Sequence, residues 1–345
     1  MSKEVILTGL RSNAEFHLGN YLGGILPMVE MQKKHAGQYQ LNMFIPDLHS
    51  FTTPIDHENL YQQSLDNLMI FVASGIDLSN KDTFIYRQSY IPAHSELAWI
   101  LSCFTGFGEA SRMTEFKDKS KNIGTDRVTV GLFNYPILMA ADILLYGAHY
   151  IPVGDDQRQH IELARDLALR FNNKFGEVFV VPHEWSKQLE FMGIDKGVRV
   201  RSLRNPEKKM SKSIEDPAGT IMLSDKPESA VSKVLSATTD SVGVINFDWD
   251  KQPGVTNLLQ ILSLLTKTTQ KDTNSQWVGK SSYGELKSAT AKAVEEFLIE
   301  SHARLAGVSE TDLLSKLTSD ESELNTVASQ MLSKVQIAIG LRPKN

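Results

Sequence analysis

From Val5 to Val181 short apolar runs alternate with longer segments of helical period, and no other feature restricts the fold as strongly. Val5-Ile6-Leu7, Leu41 to Ile45, Thr83-Phe84-Ile85-Tyr86, His149 to Val153 and Val178 to Val181 read as strands. Between them Tyr21 to Met31, His57 to Gly75, Ser95 to Phe104, Tyr135 to Tyr146 and Gln157 to Phe171 carry apolar residues at helical spacing. Strands joined through helices pair in parallel, so the expectation is a doubly wound, Rossmann-like α/β domain with its ligands at the carboxyl ends of the strands. Past Ser213 the strand signals fade; 230–238, 257–266, 283–302 and 323–339 are helix-like, with a polar loop at Thr268 to Ser282. The expected division is a Rossmann-like domain over residues 1–205 and, over 206–345, a loop followed by an all-helical domain.

Val5-Ile6-Leu7 runs through Thr8-Gly9 toward His17-Leu18-Gly19-Asn20 and an apolar helix. A strand, a glycine-containing loop and a helix start together make a nucleotide cradle, because free amides and the helix dipole face an anion. Neither a GxGxxG run nor a Walker loop is present, which removes the two commonest nucleotide-binding readings. His17 offers a ring nitrogen to phosphate, and Gly19 permits close backbone approach.

Lys209-Met210-Ser211-Lys212-Ser213 stands between a basic lead-in, Arg199 to Lys208, and an acidic exit, Glu215-Asp216-Pro217. This reads as a mobile loop whose paired ammonium groups follow a pyrophosphate as charge develops on it. With average residue usage the string arises by accident in a chain this long on the order of once in ten thousand sequences. A second basic loop runs from Arg112 to Lys121. Asp142 lies in an apolar helix, where a carboxylate needs a partner: either a nearby arginine, or a ligand N–H that it selects. Asp155-Asp156 invites a metal reading, but no further carboxylate stands at ligand spacing; His160 and His183 read as structural.

Composition narrows the class of protein. The net charge of -5 argues against a protein that simply coats nucleic acid, so an RNA partner must meet local basic patches. A single cysteine, Cys103, suits a reducing cytoplasm, and neither a signal peptide nor an apolar run of membrane-spanning length is expected.

Taken together, Lys209 to Ser213 and His17 to Asn20 resemble the two signatures of the class I aminoacyl-tRNA synthetases. Met139-Ala140-Ala141-Asp142, Gly154 to Glu162 and Pro253 to Leu259 resemble the tryptophanyl branch of that family, in its bacterial type, and the similarity covers nearly the whole chain. The resemblance implies a tryptophan–tRNA ligase: tryptophan's carboxylate attacks the α-phosphate of ATP, and the adenylate then passes its aminoacyl group to tRNA. It implies catalytic roles for Lys209, Lys212, His17 and Lys119. ATP contacts carry over to Arg11, Ser12, Asn13, Gly19, Asn20, Gly154, Asp155, Asp156, Val200, Lys209, Met210, Ser211, Lys212 and Ser213. Asp142 would accept the indole N–H, with Tyr135, Met139 and Val153 as walls and Gln157 on the amino group. Mg²⁺ would travel with ATP, without a dedicated protein metal site. A homodimer is implied, with an anticodon-reading helical domain and no membrane or DNA partner. The chain departs from the family at Arg11-Ser12-Asn13-Ala14, where the bacterial pattern is Gln-Pro-Ser-Gly, and at Glu115, where Gln is common. A tyrosine-specific sister, a non-catalytic paralogue and another adenylyl transferase of the same superfamily are the alternatives; the residues from Met139 to Asp142 favour indole, intact His17, Lys209, Lys212 and Asp142 favour an active enzyme, and the helical C-terminal domain favours tRNA.

Overall fold

The computed structural model describes residues 3–10, 15–52, 55–114, 117, 128–193, 199–211 and 216–344. Its centre is a four-stranded parallel sheet of β1 (Val5–Gly9), β2 (Gln40–Ile45), β3 (Thr83–Arg87) and β4 (Ala148–Tyr150), in the order β3-β2-β1-β4. The register runs Val5↔Gln40 to Gly9↔Phe44 and Leu41↔Thr83 to Ile45↔Arg87. Alternate side chains leave opposite faces of a strand. Ile6, Leu41, Met43, Ile45 and Ile85 enter one apolar core, whereas Val5, Leu7, Phe44, Phe84 and Tyr86 enter another. Both faces being buried explains why the strands are apolar throughout.

Helices α1 (Leu26–His35) and α2 (Leu60–Ala73) cover the first face. Helices α3 (Ala93–Ser102), α4 (Val130–Leu145) and α5 (Arg158–Phe175) cover the second. Helix α1 follows a short turn, Leu18–Asn20, and a π-helical segment, Tyr21–Ile25. Pro27 has no N–H to offer back along the chain, so the α ladder cannot run unbroken through that junction. Gly147, at φ +59°, makes the tight turn from α4 into β4. The strand order reverses at β1, which places a crevice at its carboxyl end.

Beyond the sheet come α6 (Trp185–Met192), α7 (Pro227–Leu235), α8 (Pro253–Leu265), α9 (Gln270–Trp277), α10 (Tyr283–Ala306) and α11 (Glu310–Ala338). The C-terminal part is helical, as expected. Leu258, Leu298 and Leu313 join the first core, and Leu324, Ala328 and Val335 of α11 join the second.

Helix α11 also closes the outer edge of β3. Asp320 accepts from Ile85 N at 2.8 Å, Glu321 from Arg87 N at 3.1 Å, and Lys316 donates to Thr83 O at 2.8 Å. Unpaired edge groups would otherwise be buried without partners or left open to another strand. Arg87 answers with a two-pronged ion pair to Glu321, at 2.6 and 2.8 Å.

Three expectations need correction. Val178 to Val181 forms no strand: Asn172 Oδ1 accepts from Val178 N and Phe179 N, so one side chain does the work of a neighbouring strand. The strand expected to reach Val153 stops at Tyr150, because Gln188 Oε1 takes over at Ile151 N. Thr268 to Ser282 contains α9, capped by Thr269, whose polar composition hides its helical period.

Candidate active site

His17 closes the end of the β1 crevice as an N-cap. Asn20 N donates to His17 Nδ1 at 3.2 Å, and His17 N donates to Asn20 Oδ1 at 3.1 Å. Each residue satisfies the other's orphan amide, which gives the Asn of this motif its physical role. Because Nδ1 accepts, the proton of the neutral ring sits on Nε2, the form that can donate to a phosphate oxygen.

Backbone pairing ties this turn to the chain just past the lysine loop. Leu18 N donates to Ile221 O at 2.8 Å and Leu223 N to Phe16 O at 2.9 Å. The loop's entrance is a small hairpin in which Met210 N donates to Val200 O at 3.0 Å and Ser202 N to Lys208 O at 2.9 Å. Asn257 of α8 brackets Arg201, accepting from its N–H and donating to its carbonyl, both at 2.9 Å. Thr220 holds Ser211 O at 2.7 Å, and Asp216 accepts from Gly219 N at 3.0 Å and from Ser202 Oγ at 2.6 Å. Both ends of the loop are therefore pinned.

The sequence suggests a loop without buried structure, but its first half is otherwise: Met210 is fully buried while Lys209 and Ser211 are exposed. A Cβ added at Gly19 would lie 3.5 Å from Met210 Cβ and 3.1 Å from His17 Nδ1, so the two signatures pack together. Val200 is buried in the same hairpin. Gly154, Asp155 and Asp156 are exposed in a 3₁₀ turn ahead of α5. Arg11, Ser12, Asn13, Lys119, Lys212 and Ser213 lie outside the described residues.

Asp142 lies in the last turn of α4 with no solvent exposure. Its Oδ1 accepts from Gln88 Nε2 at 2.7 Å and from His94 Nδ1 at 2.6 Å, and its Oδ2 from His49 Nε2 at 2.9 Å. Burial alone would push this carboxyl up, but the donors from His49 and His94 outweigh it and bring the pKa down to about 2. Among the described residues its partners are two histidines and a glutamine, not an arginine. A carboxylate offers about four lone-pair sites, and the donors found among the described residues leave one of them on Oδ2.

These donors come from strand ends. His49 sits in the Asp47–Ser50 turn after β2, Gln88 directly follows β3, and His94 opens α3. Asp47 Oδ1 accepts from Ser89 N at 2.9 Å, and Asp47 Oδ2 accepts from the Ser89 hydroxyl, latching the two turns together. None of Asp47, His49, Gln88 or His94 receives a role from the sequence alone. The available signal was chemical: a carboxylate in an apolar helix demands donors, and polar residues just past strand ends are where they stand.

Tyr135 and Met139 share α4 with Asp142, and the Tyr135 ring lies 6.3 Å from that of His49. Met139 and Val153 are half-buried, as walls facing a ligand would be. Gln157 donates Nε2 to Asp156 at 2.8 Å. An ammonium group needs the oxygen of that amide, which this bond does not use.

Known proteins are similar to this chain in sequence and fold. The family model for class I tRNA synthetases (W and Y) matches residues 2–299. A tryptophan–tRNA ligase of Caldanaerobacter subterraneus subsp. tengcongensis is 42% identical over 336 residues, which is 97% of this chain and 98% of that protein. The crystal structure of tryptophanyl-tRNA synthetase from Mycoplasma pneumoniae superposes with a TM-score of 0.80 at 32% identity, covering 99% of this chain and 98% of that one. That of the Campylobacter jejuni enzyme, complexed with ADP and tryptophan, gives 0.76 at 31% identity over 97% and 99%.

Proposed function

This chain belongs to the class I tRNA synthetases of the tryptophan and tyrosine group, and from that premise we infer that it is a tryptophan–tRNA ligase. In the first step a tryptophan carboxylate oxygen bonds to the α-phosphorus of ATP and the bond to pyrophosphate breaks. In the second, a terminal ribose hydroxyl of tRNA attacks the activated carbonyl and AMP leaves. Neither step needs a covalent nucleophile from the protein; positioning and charge stabilisation suffice.

The observation that carries the reading is the buried, ionised Asp142, with donors on three sides and an acceptor position left over among the described residues. An indole N–H donates and cannot accept, so it fills that position, whereas a phenylalanine ring would leave it empty. His17 would donate Nε2–H to the triphosphate, and Lys209, with Lys212 and Lys119, would follow the departing pyrophosphate. Gly19 and the Gly154 to Asp156 turn would lie against adenosine. Mg²⁺ would arrive with the phosphates of ATP, keeping its waters and phosphate oxygens as ligands.

The helical region of residues 206–345 is our candidate for anticodon reading. Trp99, Phe107 and Val130 are each more than two-thirds exposed on the α3–α4 side, and Phe107 stacks on Phe133 at 5.2 Å. A second copy of the chain covering that surface would make the homodimer. No helix among the described residues is long and apolar enough to cross a membrane, and a cytoplasmic location is our reading. ATP–pyrophosphate exchange measured across all twenty amino acids tests the assignment: exchange with tryptophan is expected, and exchange driven by tyrosine instead would overturn it.

A further inference from the structure

The donors on Asp142 are not equivalent. His49 keeps part of its side chain in solvent, at 18%, whereas His94 is 0% exposed and has a partner on each ring nitrogen. Nδ1 meets Asp142 Oδ1 at 2.6 Å, and Nε2 meets the Tyr146 hydroxyl at 2.8 Å. An ionised carboxylate only accepts, so Nδ1 carries a proton; in the neutral ring Nε2 then accepts from Tyr146 O–H. Burial raises the Tyr146 phenol well above its usual value, so that hydroxyl keeps its proton. The imidazole is packed between aromatic rings, with centroids 6.1 Å from Tyr86 and 5.5 Å from Tyr146. Donation runs one way, from phenol to imidazole to carboxylate, and such chains polarise in the same sense.

The arrangement fixes more than charge. Gln88 and His94, both wholly buried, fill both acceptor positions of Oδ1, so the carboxyl group cannot turn without breaking two hydrogen bonds away from water. Building on the ligase reading above, we propose that His94, backed by Tyr146, is a positioning residue for substrate choice. It locks the rotation of Asp142 so that Oδ2 alone is left to meet an N–H donor from the substrate. A locked acceptor makes a ring without a donor costly, because the orphaned oxygen finds no other partner; a carboxyl free to turn could satisfy itself and would forgive the wrong ring.

The test uses the full chain as wild type, His94→Leu, His94→Asn and Tyr146→Phe. Steady-state exchange is measured with tryptophan and with phenylalanine, and tryptophan affinity by equilibrium dialysis. His94→Leu is expected to raise the tryptophan KM about tenfold or more and to narrow the preference over phenylalanine by a similar factor, with the KM for ATP nearly unchanged. Asparagine can present an amide N–H near the place of Nδ1, so His94→Asn should recover most of the loss. Tyr146→Phe should give a smaller shift in the same direction. The proposal is overturned if His94→Leu keeps wild-type preference, if Leu and Asn lose it equally, or if the KM for ATP rises in step with that for tryptophan. Should His94→Leu fail to fold, Tyr146→Phe decides alone, and an unchanged preference there counts against the role. A wild type with no tryptophan-dependent exchange would instead overturn the ligase reading, so the two failures are distinct.

Discussion

Met210 and Gly19, far apart in the chain, meet in the fold: a side-chain carbon at position 19 would stand 3.5 Å from Met210 Cβ. The lysine loop is thus hung on the turn that carries His17, and the thioether is its peg. Truncating this fully buried side chain removes transfer free energy and leaves a cavity. Met210→Ala is expected to cost about 2–5 kcal/mol in guanidinium unfolding. On the proposed reading, in which this loop meets the nucleotide, the KM for ATP should rise more than that for tryptophan. Equal changes in both would mean that Met210 serves the core alone.

Lys209 makes the opposite prediction. Its backbone lies in the small hairpin with Arg201, but its side chain is exposed. Lys209→Ala should therefore change unfolding free energy by no more than about 0.5 kcal/mol. Adenylation should fall by about a hundredfold, the usual consequence of removing one group that stabilises developing charge. Tryptophan affinity should hold, in Lys209→Ala and in Lys212→Ala alike; single-turnover kinetics beside equilibrium dialysis separates the two effects.

The parallel sheet was legible because Ile6, Met43 and Ile85 alternate with Leu7, Phe44 and Tyr86, a period that both faces of the sheet enforce. The motif residues were legible because their strings are rare. What escaped was whatever depends on side chains standing in for backbone. Asn172 replaces a strand at Val178, and Asp320 and Glu321 replace one along β3. Those two carboxylates also interrupt the apolar period of α11, whose N-terminal part, from Glu310 to Ser322, was therefore missed. The donors on Asp142 were invisible for a related reason: His49, Gln88 and His94 are distant in sequence and converge only because β2 and β3 are neighbours.

The Asp142 carboxyl gives a pH prediction. Its pKa falls from 3.8 to about 2 in the fold, so the folded state favours the ionised form. A depressed carboxyl adds stability that is fully present above the unfolded value and lost as pH drops through the folded one. Each tenfold difference in proton affinity between the two states is worth about 1.4 kcal/mol, so the contribution is roughly 2–3 kcal/mol at neutral pH, disappearing between about pH 4 and pH 2. Acid titration followed by circular dichroism should show that loss in wild type, and Asp142→Asn should flatten that part of the curve. A wild-type profile with no such loss in this window would contradict the ionised assignment.

Trp99 tests the proposed assembly. It is 72% exposed, an unusual state for an indole unless a partner covers it. Trp99→Glu should shift sedimentation from dimer to monomer while leaving the circular dichroism spectrum unchanged. A monomeric wild type, or a variant that remains dimeric, would remove this surface from consideration.

The last prediction concerns the pair that joins α11 to the sheet. Arg87 and Glu321 are each more than nine-tenths buried, so removing one partner strands a charge. Breaking such a pair costs about 3–5 kcal/mol, whereas replacing both members by apolar residues of similar size is often close to neutral. Glu321→Ala should therefore destabilise strongly, and the double variant Arg87→Met with Glu321→Leu much less. A double-mutant cycle by chemical unfolding measures the difference. The cycle also reaches the site, because Gln88 follows Arg87 directly and donates to Asp142 at 2.7 Å. If α11 sets the end of β3, Glu321→Ala should raise the tryptophan KM while the ATP KM stays put. An unchanged tryptophan KM in a destabilised but folded Glu321→Ala protein would confine the pair to holding the edge strand.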